Sequence, residues 1–296
     1  MNEPDRIVLR WVAQTLAIRE LVVIRGLRGG GSPWLLRADH HDVILRIGRP
    51  SDVAGFATEA AALQRAGQAG LPVPGLLAHD DGTAVGVPLV LTERLAGTSQ
   101  IPLKPVRLRL HALGAVTARL HRLSLEPSAT LPPRDRPIAL EDFAALRWQH
   151  GSQLLDDAAL AISRYQPTGT RTVFVHGDLW HGNTLWQPEC LMGIIDWDCA
   201  GVGAPGVDLG SLRCDAALCY GMDAATEVLR GWEQEAGHPA KDMAYWDAVA
   251  ALATPPDMGW FPDAFSEQGR PDLDRATLTA PRRDQFLRRA MRASSL

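Results

Sequence analysis

The chain has 296 residues, a net charge of −4, 46% hydrophobic and 22% charged residues, a composition that excludes the overall basic character of nucleic-acid-binding proteins. No apolar run approaches the roughly 18 residues of a membrane span, so we expect no membrane segment. Only two of the 30 basic residues, Lys104 and Lys241, are lysines, and neither follows the G-x-x-x-x-G-K-[ST] pattern, which excludes a P-loop nucleotide site.

Strands are predicted to dominate the first 95 residues. Apolar and β-branched runs between residues 21 and 47 are separated by Gly, Asp and His residues, which is typical of antiparallel hairpins. An alanine-rich helix is predicted over 54–69, ending at Gly70. Two more strands bounded by proline and glycine precede Gly97.

Helices are predicted to dominate the remainder of the chain. Two long helices are expected over 105–124 and 140–165, and Asp223 is expected to cap a helix that ends at Gly237. Two further helices are expected over 241–253 and 282–292, with a Pro/Asp-rich loop over 254–281 between them. The sequence therefore predicts an α+β chain with domains at 1–95 and 96–296.

The segment with the clearest chemical pattern runs from His176 to Asn183, with the sequence HGDLWHGN. A predicted strand precedes it, and a hairpin turning at Pro188 would carry Asp196 of the IIDWD segment back beside Asn183. An amide oxygen beside a carboxylate suits Mg²⁺, which combines one or two protein ligands with phosphate oxygens and water. Asp178 is placed to accept a proton from an attacking hydroxyl.

This pattern matches the kinase loop H-R-D-L-x-x-x-N, with Gly177 in place of arginine and Trp197 in place of the phenylalanine of D-F-G. In this form the chain resembles the aminoglycoside phosphotransferase/choline kinase-like family. The resemblance implies a two-lobed protein-kinase-like fold, with a small antiparallel-sheet N-lobe carrying one helix and a larger, mainly helical C-lobe. It implies ATP and Mg²⁺ as cofactors, a nucleotide-binding role for 1–95, and a catalytic and acceptor-binding role for 96–296.

The same resemblance assigns single residues to the nucleotide. Arg46 takes the place of the phosphate-binding strand lysine, and Glu59 is its expected ion-pair partner. A loop over the phosphates and a hinge that pairs with adenine are also implied. The residues concerned are Gly29, Gly30, Gly31 and Ser32 for the loop, and Glu93 and Leu95 for the hinge.

In the second part of the chain the resemblance assigns Asp178 as the catalytic residue, with Asn183 and Asp196 as metal ligands. His176 and Asp208 are expected to support the catalytic loop. Asp198 is expected either to help place the metal or to cap the segment that follows it. His181 is expected to be an ordinary loop residue or, less favoured, a contact to the acceptor or phosphate.

The acceptor is expected to be a small molecule, because the 11 residues between Asp196 and Asp208 are too few for a peptide-binding activation segment and no A-P-E triplet follows. Residues 201–268 hold 3 basic and 11 acidic residues, a net charge of −8. This acidic block is either a set of solvated helix faces or an acceptor pocket for a cation such as an aminoglycoside, walled by Trp232, Trp246, Trp260 and Phe261.

Two alternatives stay open: a metal-dependent hydrolase that uses His176, Asp178, His181 and Asp196, and a nucleotide-binding pseudokinase. The beginning of the chain lacks the basic-then-apolar pattern of a signal peptide, and the four cysteines form no C-x-x-C pair. We therefore expect a cytoplasmic location and no nucleic-acid or membrane partner. The sequence predicts no particular oligomeric state.

Overall fold

The computed structural model describes residues 3–28, 31–168 and 171–293. By its contacts the chain forms two compact units, one of Met1–Ala96 with Gly193–Asp198, the other of Gly97–Met192 with Cys199–Leu296. The division at 95 drawn from the sequence puts Gly193–Asp198 in the second part. The structure groups the segment with the first unit, where the Ile194 N–H donates to the Pro72 carbonyl at 2.8 Å.

The first unit is a five-stranded antiparallel sheet with order β1-β2-β3-β5-β4. Its elements are α1 (Arg6–Thr15), β1 (Leu21–Gly26), β2 (Trp34–Ala38), β3 (His41–Ile47), α2 (Val53–Gln68), β4 (Leu76–Asp81) and β5 (Pro88–Glu93). The predicted sheet and the helix α2 are present. The helix α1 was not predicted, although Asp5 caps it and Val8 and Val12, four residues apart, bury one face in the core of the sheet.

The second unit is mainly helical. Its helices are α3 (Arg107–Leu120), α4 (Phe143–His150), α5 (Gln153–Arg164), α6 (Gly206–Tyr220), α7 (Met222–Ala236), α8 (Met243–Leu252), α9 (Phe261–Glu267), α10 (Arg275–Thr277) and α11 (Asp284–Ala293). Its strands are β6 (Pro133–Arg134), β7 (Val173–Val175), β8 (Thr184–Gln187) and β10 (Gly201–Gly203). The strand β9 (Cys190–Ile194) begins in this unit, and its last two residues are grouped with the first. Strands β6, β10 and β7 form one small sheet, and β8 and β9 form the predicted hairpin.

Glycines set the close packing of two helices in this unit. A Cβ on Gly114 of α3 would lie 2.1 Å from the Val228 carbonyl oxygen, and one on Gly231 of α7 would lie 2.3 Å from the His111 carbonyl oxygen. Only glycine at both positions allows the two backbones to approach this closely. Among the described residues, no helix has the length and apolar character needed to span a membrane.

Several boundaries differ from the predictions. The helix predicted over 140–165 is two helices, because Gly151 and Ser152 adopt extended backbone between α4 and α5. The predicted loop 254–281 contains α9, α10 and the start of a π-helical turn, Leu278–Arg283. The cap of α7 is Gly221, at φ +94°, and Asp223 lies in the first turn instead.

Candidate active site

Arg46 and Glu59, predicted to bind nucleotide, meet the predicted metal ligand Asp196 and its neighbour Asp198 in the first unit. The Nη1 of the guanidinium lies 2.8 Å from Glu59 Oε1 and 2.6 Å from Asp196 Oδ1, and the Nη2 lies 3.2 Å from Asp198 Oδ2. Strand β3 supplies Arg46, helix α2 supplies Glu59, and the segment after β9 supplies both aspartates. Arg28, which sequence reasoning missed, adds a second guanidinium 3.2 Å from Asp196 Oδ2.

This Arg46 cluster, made of Arg46, Glu59, Asp196 and Asp198, places three carboxyl groups around one guanidinium. Burial raises the pKa of Glu59 to about 7, and the charges of Asp196 and Asp198 also raise it, while Arg46 opposes the shift. Burial alone would lower the pKa of Arg46, but the charges of Asp196, Glu59 and Asp198 together raise it well above its usual value. The guanidinium therefore stays charged and binds three carboxylates that repel one another.

Asp196 also has an unusual backbone. Its φ of +68° lies in the left-handed region, which side-chain-bearing residues seldom adopt. Next to it, the Trp197 ring is fully buried and its Nε1 donates to the Ile194 carbonyl at 3.0 Å. Such backbone conformations persist where surrounding contacts enforce them, and they concentrate at functional sites.

The predicted phosphate loop is described only in part, since Gly29 and Gly30 lie outside the described residues. Gly31 has φ +93°, and its N–H donates to the Arg28 carbonyl at 2.8 Å. The Ser32 hydroxyl both donates to the Ile47 carbonyl and accepts from the Ile47 N–H. A phosphate contact from Ser32 would therefore use its backbone N–H, because its hydroxyl already joins the loop to β3.

The predicted hinge follows directly from β5. The Glu93 N–H donates to the Gly75 carbonyl at 2.8 Å, and the Arg94 N–H donates to the Asp42 carbonyl at 3.4 Å. An adenine contact through this segment would therefore use the Glu93 carbonyl or the Leu95 N–H. The Leu95 side chain lies close over Gly193, where a Cβ would be 2.2 Å from its Cδ1.

In the second unit, a buried carboxylate holds the start of the catalytic loop. Asp208, on the first turn of α6, accepts the N–H of His176 through Oδ2 and the N–H of Gly177 through Oδ1, both at 2.8 Å. His121 Nε2 lies 3.2 Å from the same carboxylate. Gly177 has φ +80°, and a Cβ there would lie 2.1 Å from the Cys199 carbonyl oxygen, so only glycine fits.

The two ends of the loop are joined by Asn183. Its Nδ2 donates to the Asp178 carbonyl at 2.9 Å and to Asp178 Oδ2 at 3.2 Å. The amide nitrogen thus orients the Asp178 carboxylate, and the amide oxygen is the group of Asn183 suited to a cation. His176 is fully buried, and its Nδ1 accepts the Asp178 N–H at 3.3 Å.

Sequence reasoning missed the partner of His181. Asp215 Oδ2 accepts the His181 N–H at 3.0 Å and forms a short contact with His181 Nδ1. Both residues are buried, so an Asp–His pair anchors the loop between Asp178 and Asn183. An acidic residue directly before the apolar run 216–220 of α6 is the signal that could have revealed it.

The model of the phosphotransferase enzyme family matches residues 23–252. The chain belongs to this family. A search of curated proteins gave no match.

Solved structures share the fold at low sequence identity. The macrolide 2′-phosphotransferase MphH from Brachybacterium faecium has 19% identity and a TM-score of 0.62, covering 93% of this chain and 98% of that one. The aminoglycoside-3′-phosphotransferase of type VIII has 21% identity and a TM-score of 0.57, covering 79% and 93%. The spectinomycin phosphotransferase APH(9)-Ia, solved with ADP and spectinomycin, has 14% identity and a TM-score of 0.58, covering 97% and 95%.

The predicted family and the kinase-like α+β fold are therefore confirmed. The family model shows that the chain is a phosphotransferase. The roles of individual residues, the metal and the identity of the acceptor remain predictions.

Proposed function

We propose that the chain moves the γ-phosphoryl group of MgATP to a hydroxyl of a small-molecule alcohol, with Asp178 as the catalytic base. The observation that carries the proposal is the loop from His176 to Asn183. Asp208 holds one end of the loop by two backbone N–H groups, and Asn183 orients the Asp178 carboxylate from the other. A carboxylate fixed in this way is pre-positioned to act as a general base once an acceptor hydroxyl lies within hydrogen-bond reach.

The proposed step is a direct in-line transfer. The acceptor oxygen attacks the γ-phosphorus, the bond from that phosphorus to the β-γ bridging oxygen breaks, and ADP leaves with the electron pair. Asp178 takes the hydroxyl proton. Positioning and charge stabilisation supply most of the catalysis in phosphoryl transfer, so the rigid hold on this loop is the relevant feature.

The phosphates of ATP are assigned to Arg46 and to the backbone of residues 29–32. Arg46 offers a planar fork that stays charged, and Glu59 fixes it from the side at 2.8 Å. The adenine is assigned to the Glu93 carbonyl and the Leu95 N–H. These roles follow from the family resemblance, and the neighbouring N–H groups of Glu93 and Arg94 already donate to Gly75 and Asp42.

Asn183 and Asp196 are the proposed Mg²⁺ ligands, with Asp198 in support. They offer an amide oxygen and carboxylate oxygens, the hard donors that this ion prefers. Bound there, Mg²⁺ would neutralise phosphate charge. Arg46 and Arg28 both form ion pairs with Asp196, so a metal ion at this carboxylate would compete with two ion pairs.

The acidic block lends a cationic acceptor less support than its net charge suggests, because many of its acids have partners within the fold. Glu227 contacts Arg107, His111 and Arg230, Glu235 contacts Arg122, and Asp247 contacts Arg213. Asp208 and Asp215 hold the catalytic loop. Aminoglycosides are therefore only one of several acceptor classes that the ADP-release assay should include.

The experiment is a coupled assay of ADP release with MgATP over aminoglycosides, macrolides, amino alcohols and sugars. Acceptor-dependent ADP release by the wild type, absent in Asp178→Asn, is the expected result. Wild-type rates in Asp178→Asn would refute the assignment of the base. Turnover with Zn²⁺ or Mn²⁺ and no ATP would favour the hydrolase, and nucleotide binding with no ADP release on any acceptor would favour the pseudokinase.

A further inference from the structure

Five aromatic rings form a continuous row in the second unit. Trp180 meets Phe265 edge-on at a centroid distance of 5.6 Å, and Phe265 meets Phe261 at 6.3 Å. Phe261 meets Trp260 at 6.2 Å, and Trp260 stacks on Phe143 at 6.1 Å. The sequence pattern singled out Trp260 and Phe261 but placed them with Trp232 and Trp246, which lie together elsewhere, in a cavity lined by α7 and α8.

The aromatic row begins inside the catalytic loop. Trp180 comes two residues after Asp178, and its ring covers Gly182, where a Cβ would lie 2.3 Å from the ring. Gly182 directly precedes Asn183. One end of the row therefore lies on the loop that carries the proposed base.

The row combines buried and accessible rings. Phe143 and Phe265 are each 2% exposed, whereas Trp260 is 44% exposed and Trp180 and Phe261 are partly exposed. The buried rings hold the accessible ones in place, so the accessible faces are pre-organised. Rigid aromatic surface beside a reactive group is typical of a binding site for a ring-shaped ligand.

Among the described acids that flank the row in the chain, some already have partners; Asp142, for example, accepts the Ala145 N–H at 3.0 Å. Asp257, near Trp260 in the chain, pairs with Arg275 at 3.4 Å, and Arg136 lies over the Phe143 ring at 6.0 Å. Asp263 and Glu267 are exposed on α9. A molecule with four or five ammonium groups would need a denser set of carboxylates, whereas one cationic group can be met by a ring face or a single acid.

We propose that the aromatic row is the acceptor subsite, and that it selects a hydroxylated molecule with an apolar ring face and at most one or two positive charges. The inference rests on the proposed phosphotransferase function and narrows its substrate class. Trp260, Phe261 and Trp180 are the specificity-determining residues. The apolar face of the acceptor packs on these rings, and a hydroxyl at its edge reaches Asp178.

The test compares Trp260→Ala with Trp148→Ala. Trp148 is 93% exposed on α4, the helix that also carries Phe143, so its removal is a matched control outside the aromatic row. Initial rates are measured with MgATP and three probes: a macrolide with one amine, an uncharged aryl glycoside and a polycationic aminoglycoside. Isothermal calorimetry measures binding of the same probes without turnover.

We expect the macrolide or the aryl glycoside to give the highest kcat/KM. Trp260→Ala should raise the KM and the Kd of that probe about tenfold or more, the loss expected from removing one large buried ring contact, with kcat changed less than about threefold. Trp148→Ala should change neither.

Two results would overturn the inference: a best substrate that is the polycation, or probe KM and Kd values that Trp260→Ala leaves unchanged. Failure of the proposed function gives a different pattern, with no ADP release for any acceptor. In that case calorimetry still decides, because absence of binding by both apolar probes refutes the subsite, whereas binding that Trp260→Ala weakens upholds it.

Discussion

Removal of Arg46 should destabilise the metal-free protein strongly and in a pH-dependent way. Arg46 bridges Glu59, Asp196 and Asp198, and its side chain is only 21% exposed. Breaking a buried pair by removing one partner costs about 3–5 kcal/mol, because it leaves an uncompensated charge. We expect Arg46→Met to lower the free energy of unfolding by about 3 kcal/mol at pH 8. This value is at the lower end of the range because Arg28 still contacts Asp196.

The loss should shrink at about pH 5.5, where Glu59 can become protonated instead of remaining an unpaired anion; its pKa already lies at about 7 with Arg46 present. Millimolar Mg²⁺ should restore part of the stability by replacing the lost positive charge. Urea titrations followed by tryptophan fluorescence give the free energies of unfolding. The matched control is Arg49→Met, which removes an 83% exposed arginine paired with Asp52 and should cost much less, because exposed ion pairs are screened by solvent. A loss from Arg46→Met no larger than that of the control, or equal at both pH values, would refute this reasoning.

Three further changes test separate parts of the account. Asp178→Asn should abolish phosphoryl transfer while MgATP still binds in calorimetry; loss of both together would point to a folding defect instead. Because the pKa of Glu59 is raised from 4.5 to about 7 in the folded protein, stability linked to its proton is present below about pH 4.5 and is lost as the pH rises through 7. Glu59→Gln should therefore reduce the change in the free energy of unfolding with pH by up to about 3 kcal/mol. An unchanged pH profile would contradict the raised pKa of Glu59. Asp247→Asn should cost about 3 kcal/mol or more, because Arg213, held by two 2.8 Å bonds, would stay buried and unpaired; a thermal melt within 1 °C of wild type would contradict it.

Local pattern and spacing were enough to predict the sheet-rich first part, the helical second part and the motif from His176 to Asn183. The motif is readable because its residue types and intervals are set by chemistry within one loop. The break at Gly151 escaped prediction because the surrounding pattern stays helical, and only the backbone of Gly151 and Ser152 departs from it.

Contacts between distant parts of the chain were harder to predict. The pairing of Arg46 with Glu59 followed from the family resemblance, but its contacts with Asp196 and Asp198 are 150 and 152 residues apart in sequence. Asp215 behind His181 is a long-range contact of the same kind. The acidic block left two interpretations open for a related reason, since net charge along the chain does not show which carboxylates have partners.

The most direct test of the central claim is mass spectrometry of the acceptor after incubation with the protein and MgATP. The acceptors of the ADP-release screen are incubated with the wild type and with Asp178→Asn. The account predicts a product heavier by one phosphoryl group, formed by the wild type in step with ADP release and absent with Asp178→Asn. ADP release with every acceptor unmodified, or equal product from both proteins, would contradict it.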